Sequence, residues 1–128
     1  MSYHFSKIVE TTFDEAIANV TNKLKNEGFG ILTEIDVKAT LKKKLDVDFR
    51  KYRILGACNP PYAYKALVAE EKIGTMLPCN IVVQEYDDGH VEVSAVDPLA
   101  SMQAIDNPDL GQIAKEIQTK LKTIIHCL

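Results

Sequence analysis

Two runs of alternating, β-branched-rich residues, Cys79 to Tyr86 (CNIVVQEY) and His90 to Val96 (HVEVSAV), flank Asp87-Asp88-Gly89, and this pattern constrains the fold more than any other in the chain. A short acidic segment ending in glycine between two such runs reads as a β-hairpin, because glycine takes the left-handed backbone of a tight turn without a Cβ clash. A three-residue loop sets Tyr86 opposite His90, Val83 opposite Val93, Ile81 opposite Ala95 and Cys79 opposite Asp97. That register collects Ile81, Val83, Val91, Val93 and Ala95 on one apolar face. A two-residue loop would slip it by one and bring Gln84 opposite Val93.

The other elements follow from periodicity and punctuation. Tyr3, Phe5 and Val9 alternate with His4, Ser6 and Ile8, a first strand interrupted once by Lys7. Thr12-Phe13-Asp14-Glu15 is a capping box, after which Phe13, Ile17, Val20 and Leu24 recur at helical spacing up to Gly28. Gly30 to Asp36 and Tyr52 to Cys58 read as strands two and three. Between them Asp36 caps a short helix whose Val37, Leu41 and Leu45 form a narrow stripe expected to face the core. Asn59-Pro60, Asp97-Pro98 and Asn107-Pro108 repeat one grammar, an N-cap followed by proline at the first helical position. They predict helices over about Pro60 to Lys72, Leu99 to Ala104 and Pro108 to Ile125, the last burying Leu110, Ile113, Ile117, Leu121 and Ile124.

A chain of 128 residues, 46% hydrophobic and 26% charged, is expected to form one domain over 1-128, since it can bury one core but not two. A net charge of −3 gives no global attraction for nucleic acid. No run reaches the ~18 to 20 apolar residues of a membrane span, and Met1 to Glu10 lacks a signal-peptide core, so the expected location is cytoplasmic. Three cysteines, Cys58, Cys79 and Cys127, fit reduced thiols better than a disulfide framework.

Two topologies suit these elements: a crossover helix after Cys58 with strands three and four parallel, or an excursion that leaves them antiparallel. The run GILTEIDVKATLKKKLDVDFRKYRILGACNPPYAYKAL (Gly30 to Leu67), IGTMLPCNIVVQEYDDG (Ile73 to Gly89) and the following Asp97-Pro98 closely resemble the domain-of-unknown-function family numbered 302. The resemblance implies an α+β fold of β-α-β-β-β-β-α type with a largely antiparallel sheet, helices on one face and extra short helices, similar to the TATA-binding protein in architecture. It also implies small homodimers, and no activity. On that fold the excursion holds, and Cys58, Cys79 and Asp97 fall at one sheet edge.

That edge is where chemistry is expected, and its candidate ligand-binding residues are Cys58, Asn59, Cys79, Asn80 and Asp97. Cys58 precedes a helix N-terminus, a setting that stabilises a thiolate, while the plain alternative makes both cysteines small apolar core residues. No histidine near in sequence supplies a base for a nucleophile. Two thiolates and the Asp97 carboxylate suit zinc but lack a fourth ligand and any CxxC spacing, so no metal and no cofactor is expected. Two helix N-termini beside Asn80 suggest a small anion pocket, whereas Asn59 and Asp97 can equally be plain N-caps. Tyr62 and Tyr64, on the helix after Pro61, fit core packing, a pocket wall or a dimer seam.

From Asp36 to Arg53 seven basic residues oppose three acidic ones, a net of +4. Lys42, Lys43 and Lys44 spread around a helix by ~100° each and suit a solvated face rather than a phosphate-tracking row, so no nucleic acid and no membrane partner is expected. The reading is a small homodimer that binds a small ligand, an anion among the candidates, at the Cys58/Cys79/Asp97 edge. Its alternatives are a thiol- or metal-dependent enzyme using Cys58 or Cys79, and a purely structural subunit. Self-association would cover an open sheet edge with an interface of roughly 1,200 Å² or more.

Overall fold

The hairpin is built as its loop requires. In the computed structural model, which describes residues 2–128, β4 (Cys79–Glu85) and β5 (Val91–Val96) pair antiparallel with Ile81 opposite Ala95 and Val83 opposite Val93. The Tyr86 amide donates to the His90 carbonyl at 2.9 Å, and Gly89 takes φ +91°. Side chains of one parity then point one way, and Ile81, Val83 and Val93 are fully buried. Each such burial stabilises the fold by roughly 1.5–3 kcal/mol.

β1 (His4–Val9), β2 (Gly30–Asp36) and β3 (Tyr52–Cys58) complete a five-stranded sheet in the order β1-β5-β4-β3-β2, every neighbouring pair antiparallel. The chain after Cys58 is therefore an excursion, and the parallel alternative is excluded. α1 (Phe13–Asn26) and α5 (Pro108–His126) lie on one face of the sheet. Thr12 accepts from the Glu15 amide at 3.1 Å, as the capping box requires. α1 buries Phe13, Ala16, Val20 and Leu24, and α5 buries the expected stripe together with Ala114 and Ile125. Lys7, which breaks the alternation of β1, donates from Nζ to the His126 carbonyl at 3.0 Å, so this cation sits at the C-terminal end of α5 where the helix dipole favours it.

Three expectations are corrected. α2 (Val37–Leu45) buries no residue, and Leu45 is 66% exposed. The helix packs against β2 and β3 without burying a residue, and polar bonds help to hold it: Asp36 accepts from the Ala39 amide at 2.9 Å and Lys38 Nζ donates to the Phe49 carbonyl at 2.9 Å. α3 (Pro60–Ala69) stops short of Lys72. Asn107 Nδ2 donates to the Ala69 carbonyl at 2.7 Å, ending the helix there, and Ile73–Met76 forms a separate 3-10 turn. α4 is a single turn, Pro98–Ser101.

Candidate functional site

Antiparallel pairing puts the end of β3 beside the start of β4, with Ala57 opposite Cys79. Around this end lies a cavity of about 310 Å³ touched by both Cys58 and Cys79. Ala63 and Leu67 of α3 form one wall, Ile117 of α5 another, and Phe29 and Leu32 close the β2 side. Leu32 reaches it through a bulge: the β2–β3 register shifts between Ile31 and Thr33, leaving Leu32 as the extra residue. The close approach of strands here depends on Gly56, where a Cβ would lie 2.1 Å from Thr33 Oγ1 and 2.7 Å from Pro78 Cγ.

The five candidate residues divide. Cys58, Asn59 and Cys79 line this cavity, and Asn80 and Asp97 do not. Asn80 follows Cys79 by one residue and so faces the opposite side of the sheet. Asp97 caps α4, accepting from the Leu99 amide at 3.0 Å, and also accepts from Gln118 Nε2 at 3.1 Å. Asn59 departs from the N-cap expectation. Its amide makes no side-chain bond to the first turn of α3; Nδ2 donates to the Glu27 carbonyl at 3.1 Å, fastening the α1–β2 turn to the β3–α3 junction.

The chemistry available in the cavity is apolar. Burial, and after it the neighbouring Cys58, push the Cys79 thiol up to about 11, so it is neutral at physiological pH. Carbon and sulfur make up nearly all of the wall, no lysine, arginine or histidine among the described residues lines it, and Nδ2 of Asn59 is already engaged. Among the described residues no three His, Cys, Asp or Glu side chains converge as metal ligands. The lysine run lies elsewhere, on exposed α2, where Lys42 pairs with Asp46 at 3.0 Å and Asp48 at 3.4 Å.

The sheet face away from α1 and α5 carries a second, wider depression of about 520 Å³, lined among others by His4, Tyr52, Asn80, Gln84 and Glu92. Several polar groups in and beside it bond to one another. Ser6 Oγ lies 2.7 Å from both His4 Nδ1 and Ser94 Oγ, Tyr86 donates to Glu92 at 3.1 Å, and Arg50 Nε donates to Gln84 Oε1 at 2.9 Å. Burial and the bond to Glu92 raise the Tyr86 phenol above its ordinary range. The even-numbered positions of the hairpin pointed to this face. The walls contributed by Leu32, Ala63, Leu67 and Ile117 were hidden, since their convergence depends on how α3 and α5 pack.

The arrangement defines an α+β domain with an antiparallel sheet, helices covering one face and an apolar cavity at one sheet end. The family model described as "Domain of unknown function DUF302" matches residues 5–128, and the chain belongs to that family. A solved structure described as an uncharacterized conserved DUF302 protein from Bacillus stearothermophilus superposes with a TM-score of 0.91 at 30% identity, over 98% of this chain and 98% of that one. No curated protein matches. No helix among the described residues is long and apolar enough to cross a membrane.

Proposed function

We propose that the chain is a self-associating binding module of the cytoplasm, working as one domain, that takes a small neutral apolar ligand in the Cys58–Cys79 cavity. The cavity carries this reading: at about 310 Å³ it falls at the lower end of the roughly 300–1,000 Å³ typical of ligand sites, and its wall is almost wholly apolar. An apolar cavity of that kind is poor in partners for water and is favourably filled by a molecule of benzene size or somewhat larger. A thiolate enzyme has less support, because the Cys79 thiol is held neutral. An anionic ligand has less support as well, for want of a cation in the wall.

Thermal melts test the reading with small neutral compounds (benzene, cyclohexanol, indole) and, beside them, acetate, benzoate and phosphate. A ligand at a hundredfold excess over Kd stabilises by roughly 3 kcal/mol, or about 10 °C in Tm. The neutral apolar compounds are expected to raise Tm and the anions not. Ala63→Phe, which fills the cavity, abolishes the shift. Equal shifts in wild type and Ala63→Phe would overturn the assignment.

A further inference from the structure

Gln84 lines the depression on the sheet face away from α1 and α5, yet it is only 8% exposed. Its amide has one possible orientation. Arg50 Nε donates to Gln84 Oε1 at 2.9 Å, and a guanidinium carries donors alone, so the oxygen must face Arg50 and Nε2 is turned away from it. Arg50 is itself held, its guanidinium carbon 5.6 Å from the ring centre of Tyr52 and 5.4 Å from that of Tyr86. Gln84 Nε2 has no hydrogen-bond partner among the described residues. A polar side chain buried to this degree rarely leaves a donor unspent.

An unspent acceptor stands beside this donor. Glu92 is the cross-strand partner of Gln84 in the β4–β5 register, so the two side chains rise from the same face about 5 Å apart. Tyr86 Oη donates to Glu92 Oε1 at 3.1 Å, which commits one carboxylate oxygen and leaves Oε2 without a partner among the described residues. Each side chain is thus oriented by a neighbour and keeps one atom for a ligand, a donor at Gln84 and an acceptor at Glu92. Tyr52, opposite Gln84 in the β3–β4 register, and Val82 supply apolar surface beside the pair.

We propose that this depression binds a small planar lactam, a ring whose carbonyl oxygen and adjacent N–H meet Gln84 Nε2 and Glu92 Oε2 together. Other ligand classes fit less well. An anion would face the Glu92 carboxylate with no lysine or arginine in the lining, an ammonium would leave the Gln84 donor unmatched, and a hydrocarbon would leave both groups unmatched. At about 520 Å³ the depression has room for one such ring. It shares no lining residue with the Cys58–Cys79 cavity, so this site goes beyond the reading above and stands apart from it.

An NMR titration of the full chain with α-pyridone, whose ring carries the required edge, tests the site, with N-methyl-α-pyridone as the control that lacks the N–H. Saturable shifts of the Gln84 side-chain amide and the Val82 methyls are expected with α-pyridone, and binding at least tenfold weaker with the methylated ring. Gln84→Glu keeps an oxygen for Arg50 but exchanges the donor for a second acceptor. It is expected to weaken α-pyridone at least tenfold with circular dichroism unchanged; should it fail to fold, the comparison of the two rings on wild type decides alone. Ala63→Phe, which fills the Cys58–Cys79 cavity, is expected to bind α-pyridone as wild type does. Equal affinity for the two rings, a folded Gln84→Glu chain that binds like wild type, or the absence of saturable shifts at Gln84 and Val82 overturns the site. Loss of α-pyridone binding in Ala63→Phe overturns it too, by placing the ring in the other cavity.

Discussion

Asn59 donates from Nδ2 to the carbonyl of Glu27 across 3.1 Å, so that the residue opening α3 holds the turn that closes α1. Asn59 is 7% exposed, and a Cβ at the neighbouring Gly28, which has φ +87°, would lie 3.3 Å from its Nδ2. This one amide ties the turn before β2 to the junction of β3 and α3, two segments that border the apolar cavity.

A bond donated by Asn59 behaves differently under substitution from a cap. Asparagine and aspartate are nearly equivalent as N-caps, but a carboxylate has no N–H to give the Glu27 carbonyl. Asn59→Asp is therefore expected to destabilise by about 2 kcal/mol, and no less than Asn59→Ala. Urea denaturation of the two variants measures this. An Asn59→Asp chain as stable as wild type would restore the capping role.

Gly56→Ala is expected to cost roughly 1–3 kcal/mol, because the new methyl runs into Thr33 and Pro78. Thr33→Ala removes the nearer obstacle, the hydroxyl at 2.1 Å, so the double variant recovers part of the loss. Strict additivity in a double-mutant cycle would show that the two residues do not meet.

The Cys79 thiol gives a pH signature. Its pKa is about 11 in the folded chain against an ordinary 9.0, so the folded state favours the protonated form. The resulting stability is complete below pH 9 and is lost as pH rises toward 11; two pKa units correspond to roughly 3 kcal/mol. Denaturation midpoints for wild type should fall across that alkaline window, and Cys79→Ala should flatten the fall. Alkylation at neutral pH should follow exposure: Cys127 is exposed, Cys58 partly buried and Cys79 buried, and they react in that order. Fast modification of Cys79 would argue for a reactive thiol.

Where local rules dominate, the sequence reads directly. Asp87-Asp88-Gly89 fixed the β4–β5 register because a turn of given length allows one pairing, and the Thr12 and Asp97 caps formed because both partners are within three residues. The same rules fail where a distant residue intervenes. Asn59 has the grammar of a cap, yet its amide is turned to donate from Nδ2 to the carbonyl of Glu27, 32 residues away in sequence, and its oxygen makes no bond to the first turn of α3. α3 was expected to reach Lys72, and a side chain from the start of α5 ends it at Ala69. The stripe Val37–Leu41–Leu45 has the period of a core-facing helix, but α2 packs at β2 and β3 without burying any of its residues. At the site, strand order alone brings Cys58 and Cys79 together, and pleat parity sends Asn80 to the opposite face.

The most direct measurement is a methyl-resolved NMR titration with benzene. Occupation of the Cys58–Cys79 cavity predicts saturable shifts confined to the methyls of Leu32, Ala57, Ala63, Leu67, Leu77 and Ile117, and their disappearance in Ala63→Phe. Shifts concentrated instead at Val82, Ala95 and Val96, which line the depression on the other sheet face, or shifts that never saturate, would contradict a ligand site at this end of the sheet.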